Sequence, residues 1–312
     1  MLVFRGVPEH APMSSVLTIG NFDGVHLGHR AMLRRLTDQS KQFGLPATVL
    51  TFEPHPREFF APDTAPARLS SLREKLVLLA EGGVERAHIC RFDGALAALG
   101  AQEFIERFLV RGLSARYLII GDDFRFGRGR GGDFELLRAG GARYRFGVEA
   151  LPTVTVGDQR VSSSGVRECL ESGDLEGAAR LLGGPYCIAG RVVHGEKLGR
   201  RLGFPTANVQ LKRRRVALTG IFAVLVEGAG RGQRPGVASL GVRPTINSLG
   251  IPALEVHLFD WDSDLYRAHL TVSFLHKLRD EEKYHSIDAL RAQIARDVEA
   301  ARDYFCHRRA TA

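Results

Sequence analysis

The chain has 312 residues, 44% of them hydrophobic and 25% charged, with a formal net charge of +8. That length suits about two domains, and no apolar run approaches the ~20 residues of a membrane-spanning helix, nor does a basic segment with a long apolar core open the chain as a secretion signal would. Cys90, Cys169, Cys187 and Cys306 stand far apart with no CxxC, which argues against a disulfide framework or a zinc ribbon and makes a reducing cytoplasm the expected compartment.

In chain order, the first half alternates strand and helix signals. Residues 16–19 read as a buried strand, and a helix is predicted from about 29 to 42 with Met32, Leu33, Leu36 and Phe43 on one side. The next strand is 47–52, so the three elements form a βαβ unit and imply a parallel sheet. Ser71 and Glu74 have capping-box spacing at the start of a further helix. Residues 86–92 and 115–121 are predicted strands. The helix between them, 102–110, offers Phe104, Ile105, Phe108 and Leu109 as its apolar face. Residues 149–156 read as one more strand. Two short helices follow near 166–170 and 175–182, the second with Asp174 as N-cap and Gly183 as stop.

The pattern then changes. Strand candidates at 186–193, 221–227, 236–240, 254–259 and 270–274 are closely spaced and punctuated by glycine and proline, as in an antiparallel barrel. A closing helix carries Ile287, Leu290, Ile294 and Val298 on one stripe. The division is placed near Gly183–Pro185, giving domains 1–184 and 185–312. The basic run at Lys212–Arg215 reads as a solvated loop, because no nucleic-acid-binding signature surrounds it. The positive balance fits anionic small substrates as well as it fits nucleic acid.

In a parallel α/β sheet, ligands sit beyond the carboxyl ends of the strands. There the chain reads "GNFDGVHLGH", "EPHPREFF" and "GDDFRFGRGRGGD". Glycines let a backbone approach phosphate, and amides at a helix start point toward it. His26 and His29 admit three readings: metal ligands, core histidines, or phosphate ligands that stabilise charge during group transfer. Asp23 is available and His55 could join them, but no cysteine is close and a metal site usually needs three or four donors placed together; phosphate binding explains more of the segment. In the second half, "GEKLGRRLGFPTANV" is not a Walker loop. It joins Gly195, Gly199 and Gly203 to the oxygen-bearing Thr206 and Asn208, hard donors that suit magnesium on a nucleotide. A glycine-rich barrel turn is the competing reading. In "LEVHLF", Glu255 and His257 share one strand face.

"HLGH" resembles the HxGH signature of the nucleotidylyltransferase superfamily, relatives of the class I aminoacyl-tRNA synthetases. "VSSSGVR", 161–167, resembles that superfamily's second signature, with Ser164 where threonine is usual. The longer strings, together with "LEVHLFDWDSDLY" and the closing helix, resemble the bacterial bifunctional riboflavin kinase/FAD synthetase family over nearly the whole chain. The resemblance implies a Rossmann-like α/β nucleotidylyltransferase domain followed by a flavokinase barrel with a terminal helix. It implies His26, His29, Arg167 and Glu255 as catalytic, the last as base toward the riboflavin 5′-hydroxyl. Gly20, Asn21, Phe22, Asp23, Gly28, Gly121, Asp123, Ser163, Ser164, Gly195, Gly199, Gly203 and Pro205 are expected around the nucleotides, with Thr206 and Asn208 holding Mg2+. Riboflavin, FMN and ATP are the expected substrates, with no nucleic-acid or membrane partner. Three rivals stand beside this reading: a synthetase-like tRNA-binding enzyme, a single-activity enzyme with one decayed half, and a non-catalytic flavin-binding regulator. Phe52, Phe124 and Trp261 are flavin candidates by type, with core packing expected for each.

Overall fold

The first sheet is built from β1 (Leu2–Arg5), β2 (Ser15–Ile19), β3 (Ala47–Glu53), β4 (Arg86–Arg91), β5 (Ala115–Gly121) and β6 (Gly147–Leu151). The computed structural model describes residues 1–195, 198–243 and 251–310. The strands run in the order β1-β4-β3-β2-β5-β6, every neighbouring pair parallel. The central strands are buried on both faces, which explains why they read as continuous apolar runs rather than alternating ones. β1, an edge strand that periodicity does not reveal, is exposed throughout.

The helices of this unit are α1 (Leu27–Phe43), α2 (Pro56–Phe60), α3 (Leu72–Glu81), α4 (Gly94–Ala98), α5 (Ala101–Phe104) and α6 (Phe134–Tyr144). The helix expected at 102–110 is only partly α-helical. α5 continues as a π-helix over Ile105–Gly112, whose wider turn keeps Ile105, Leu109 and Gly112 buried. The single strand expected at 149–156 is divided at Pro152. β6 ends before it, and a small antiparallel hairpin follows, β7 (Thr155–Val156) with β8 (Gln159–Arg160). The fold agrees with the Rossmann-like α/β expectation.

The later elements are α7 (Ser163–Ser172), α8 (Leu175–Leu182), β9 (Tyr186–Val193), α9 (Leu198–Arg201), β10 (Ala207–Val209), β11 (Gly220–Glu227), β12 (Arg234–Arg243), β13 (Ile251–Leu258), β14 (His269–Arg279) and α10 (Ile287–Ala310). The six strands from β9 to β14 close a barrel in the order β10-β13-β12-β11-β14-β9. The antiparallel barrel with its closing helix is thus as expected. The three-residue β10 is the strand that sequence pattern misses. α10 packs through Val298, Ala301, Tyr304 and Phe305 against the outer barrel face. Ile287, expected on the apolar stripe, is exposed at the helix start.

By contact, the chain forms two compact units: Met1–Pro66 with Leu72–Ser162, and Ala67–Ser71 with Ser163–Ala312. This division differs from the sequence punctuation at Gly183–Pro185 by the pair α7–α8 and by the short segment Ala67–Ser71, and α8 packs on β9 and β14 of the barrel. Arg213 corrects the reading of the basic run. It is buried, and its guanidinium donates to the carbonyls of Arg68 and Leu69 and to the Tyr186 hydroxyl, at 3.4, 3.1 and 2.8 Å. Only its neighbours Lys212 and Arg214 are the solvated cations expected.

Candidate active sites

The strand order reverses between β2 and β5: β3 and β4 lie to one side of β2, β5 and β6 to the other. A crevice opens at the carboxyl ends of two strands that diverge in this way. Gly20–His29 follows β2 there, and Gly121–Asp123 closes β5 on the same rim.

The corner after β2 is tightly constrained. Phe22 and Val25 hold positive φ values of 49° and 42°, around Gly24 at 83°. Such a conformation is strained for a β-branched residue, and strain of this kind gathers at functional sites. His26 is the N-cap of α1, its Nδ1 accepting the His29 backbone N–H at 3.3 Å. The two imidazoles then stack, with ring centroids 3.7 Å apart and planes 17° from parallel. Gly28 lies close under this stack: a Cβ there would stand 3.2 Å from His26 Cε1 and Nδ1, so the imidazole would have to shift by a few tenths of an ångström. His29 also leans on the buried Phe22 ring, 5.0 Å away.

Two buried polar atoms at this corner have no hydrogen-bond partner among the described residues, Asn21 Oδ1 and His29 Nδ1. Buried polar groups are almost always paired, so two orphans on one turn mark a place made for a polar ligand. Burial first, then the neighbouring His26 and Lys75, hold the His29 imidazole well below its ordinary pKa. It is therefore neutral at pH 7, a hydrogen-bonding group rather than a cation. Gly20 lies under the Phe22 ring edge, and Asp23 is buried beside it in the turn.

On the opposite lip, Gly121 abuts Asp123, whose carboxylate is paired with Arg160 of the β7–β8 hairpin. At the carboxyl ends of β3 and β4, Phe52, Phe59, Phe60 and Phe92 form an edge-to-face aromatic cluster with centroids 5.3–5.9 Å apart. Phe60 is 67% exposed and Phe59 39%. The sequence reading misses these two, although "PREFF" directly after a strand is their visible signal. Phe124 packs on the core as expected. Trp261 instead stacks under Arg234 at the surface, 4.7 Å from the guanidinium.

Ser163, Ser164 and Arg167 belong to α7, in the second unit. Arg167 is buried, and its Nε donates to the Ala67 carbonyl at 2.6 Å. One edge of its guanidinium thus anchors the Ala67–Ser71 segment.

The second site lies on the outer face of the barrel. Strand register places Asn208 directly opposite Glu255, and Glu255 opposite Ser239. Leu254, Val256 and Leu258 turn inward, so Glu255 is half-exposed on the other face. The Thr206 hydroxyl donates to Glu255 Oε2 at 3.2 Å. His257 fixes this turn through a 2.9 Å hydrogen bond between Nδ1 and the Pro205 carbonyl. Gly195 and Gly199 fold over the same oxygens. A Cβ on Gly195 would collide with the Asn208 amide, and one on Gly199 would come 3.1 Å from Thr206 Oγ1. Gly203 turns the loop with φ 92°. The donor set is a hydroxyl, an amide and a carboxylate, all hard oxygens that fit a divalent cation on a polyphosphate. Glu281 lies over Gly241, its Oε1 3.4 Å from Ser239 Oγ, a second carboxylate that sequence spacing does not bring to this face.

A crevice at the switch point of a parallel sheet, with orphaned polar atoms at a helix start, and an oxygen-lined groove under a glycine loop on a closed barrel together describe a two-module transferase acting on nucleotides. Residues 9–165 match the family model described as FAD synthetase, and 182–305 the one described as riboflavin kinase. The chain is 49% identical over 308 residues to the bifunctional riboflavin kinase/FMN adenylyltransferase of Escherichia coli strain K12, covering 98% of both chains. It is 52% identical to the Pseudomonas fluorescens enzyme of the same description, over 97% of each. A solved structure described as a macrolide-efflux protein from Streptococcus pneumoniae shares the fold with a TM-score of 0.81 and 29% identity, over 97% of this chain and 99% of that one. The chain belongs to the bifunctional riboflavin kinase/FMN adenylyltransferase family. Among the described residues no helix is long and apolar enough to cross a membrane.

Proposed function

We propose that this chain makes FAD in two steps, phosphorylating riboflavin to FMN on the barrel and adenylylating FMN on the α/β domain. The functional division is drawn at 1–184 and 185–312. The observation that carries the reading is that neither half has lost its chemistry: Thr206 still engages Glu255 on the barrel, and His29 still presents an unsatisfied nitrogen at the sheet crevice. A decayed module would have no reason to keep either arrangement.

On the barrel, Glu255 accepts the proton of the riboflavin 5′-hydroxyl as that oxygen attacks the γ-phosphorus of ATP and ADP departs. Thr206 and Asn208 are the residues that would hold a magnesium ion, which when bound neutralises charge on the nucleotide phosphates. Gly195, Gly199, Gly203 and Pro205 shape the loop around those phosphates.

On the α/β domain, an FMN phosphate oxygen attacks the α-phosphorus of ATP. The bond to the β-phosphate breaks and pyrophosphate leaves, with no covalent enzyme intermediate. His26 and His29 hydrogen-bond the phosphates, and Gly20, Asn21, Phe22, Asp23 and Gly28 shape the turn beneath them. Gly121 and Asp123 position the nucleotide. Arg167, Ser163 and Ser164 are assigned phosphate contacts by their motif. Both reactions handle polyanions, which accounts for the basic balance without a nucleic-acid or membrane partner, and both suit the cytoplasm.

A time course with riboflavin, ATP and magnesium, resolved by chromatography, tests the reading: FMN should appear first and FAD after it. FMN without FAD, or neither, would reject it, and a change of either rate on adding tRNA would revive a synthetase-like role. The exposed Phe59 and Phe60 are assigned to the flavin ring, since aromatic faces at a ligand rim suit stacking on a flat heterocycle. Phe60→Ala should raise the KM for FMN by about tenfold with little change in kcat, one stacking contact contributing on the order of 1.4 kcal/mol. Steady-state FAD formation from supplied FMN checks this.

A further inference from the structure

Glu281 belongs to the connection between β14 and α10, away in sequence from the residues assigned to phosphoryl transfer. β14 lies beside β11, and β11 beside β12. The chain leaving β14 at Arg279 therefore crosses the outer barrel face to bring Glu281 over Ser239 and Gly241 of β12. The crossing is pinned at its start. The Arg279 guanidinium donates to both carboxylate oxygens of the buried Asp297 on α10, at 2.8 and 2.7 Å, and to the Asp280 carbonyl at 2.8 Å. Gly241 makes room at its end, since a Cβ there would collide with the Glu281 carboxylate. Glycine inside a strand weakens it and often marks a place where another group must come close.

Strand register places this carboxylate in the kinase site. Asn208, Glu255 and Ser239 oppose one another across β10, β13 and β12, so their side chains form one row on the outer face. Directly opposed side chains stand about 5 Å apart. Glu281 Oε1 is 3.4 Å from Ser239 Oγ and extends the row by one member. Along it the groups run amide, carboxylate, hydroxyl, carboxylate, with the Thr206 hydroxyl bonded to Glu255 at 3.2 Å.

The row has a direction. Thr206 and Asn208, the residues suited to the nucleotide's cation, precede or belong to β10, on one side of Glu255. In an in-line displacement the attacking oxygen approaches opposite the leaving group. With ATP on the β10 side and its γ-phosphorus next to Glu255, the body of the acceptor alcohol extends toward β12. Ser239 and Glu281 meet it there, a hydroxyl and a carboxylate, which suit a polyol rather than an apolar chain. A carboxylate has about four acceptor positions, so the contact with Ser239 leaves Glu281 room for further donors. Riboflavin carries such a polyol, with secondary hydroxyls at the 2′, 3′ and 4′ carbons behind the reacting 5′-hydroxyl.

We propose that Glu281 sets the specificity of the kinase site for the ribityl chain: its carboxylate accepts hydrogen bonds from the secondary hydroxyls and so holds the 5′-hydroxyl beside Glu255. Glu281 takes no proton from the reacting oxygen and touches no phosphate. The proposal rests on the riboflavin-kinase reading of the barrel.

The test compares riboflavin with the analogue whose ribityl chain is replaced by 5-hydroxypentyl, which keeps the terminal hydroxyl and lacks the secondary ones. Both are given to wild type, Glu281→Ala and Glu281→Gln in the full-length chain, and phosphorylated flavin is followed by chromatography. Wild type should prefer riboflavin by about 100-fold or more in kcat/KM. Glu281→Ala should lower kcat/KM for riboflavin about 10- to 100-fold, mostly through KM, as loss of a hydrogen bond to a charged group does. Its kcat/KM for the analogue should stay within about twofold of wild type, so that the preference collapses. Glu281→Gln, which keeps an acceptor without the charge, should lie between. Equal losses for riboflavin and the analogue would overturn the proposal, because they would mark Glu281 as a support for the fold or as acceptor of the 5′ proton. Riboflavin parameters within about twofold of wild type in Glu281→Ala would overturn it as well. Failure of the wild type to phosphorylate riboflavin would reject the underlying reading instead.

Discussion

Replacing Glu255 by glutamine is expected to lower FMN formation from riboflavin by about 1000-fold, while FAD formation from supplied FMN stays within about twofold of the wild-type rate. The size follows from what the substitution removes. Glutamine has the same shape and keeps an oxygen that can accept the Thr206 hydroxyl, now bonded to Glu255 at 3.2 Å. The pairing of Asn208, Glu255 and Ser239 across three strands is set by the backbone and is untouched. Only the basic oxygen is lost. A group that acts on the proton in transit should affect kcat more than the KM for riboflavin. Equal loss of both activities would mean that Glu255 supports the fold. Full retention of FMN formation would mean that another group, such as Glu281 beside Ser239, takes the proton.

The parts legible in sequence are those whose physics is local. Strands β2 and β3, and the Leu118–Ile120 stretch of β5, are buried on both faces and announce themselves as apolar runs. Asp174 and Gly183 end α8 as their types predict, the aspartate capping the Gly177 N–H and the glycine adopting φ 77°. The parts that stayed hidden depend on distant neighbours. α6 carries Gly140 and Gly141, which weaken a helix signal by about 1 kcal/mol each. They are there because Ile105 and the Phe146 carbonyl press against them, a fact no window of sequence contains. Arg213 looked like one of several solvated cations and is instead fastened to Arg68, Leu69 and Tyr186, residues up to 145 positions away. The HxGH corner was readable as a turn near phosphate. The stacking of its two rings close against the intervening glycine was not.

His29→Ala is expected to lower FAD formation from FMN and ATP by roughly 100- to 1000-fold, the loss typical of one preorganised donor to a developing anion, with riboflavin phosphorylation unchanged. The ring is held on two sides, by His26 at 3.7 Å and Phe22 at 5.0 Å, and its Nδ1 is buried without a partner among the described residues, so its position is fixed before ATP arrives. The substitution also has a stability signature with a definite sign. In the folded chain the imidazole stays neutral well below the ordinary histidine value of 6.5, whereas the unfolded chain takes up a proton as pH falls past that value. The unfolded state then binds more protons, so the wild type should lose stability as pH drops from 7 toward the lowered folded pKa. Thermal melts across that range should show a smaller decline for His29→Ala, which has no such proton to bind. A variant that makes FAD normally would remove His29 from the reaction. One that loses FAD formation but declines with acid as the wild type does would show that the His29 ring is not the buried neutral group described above.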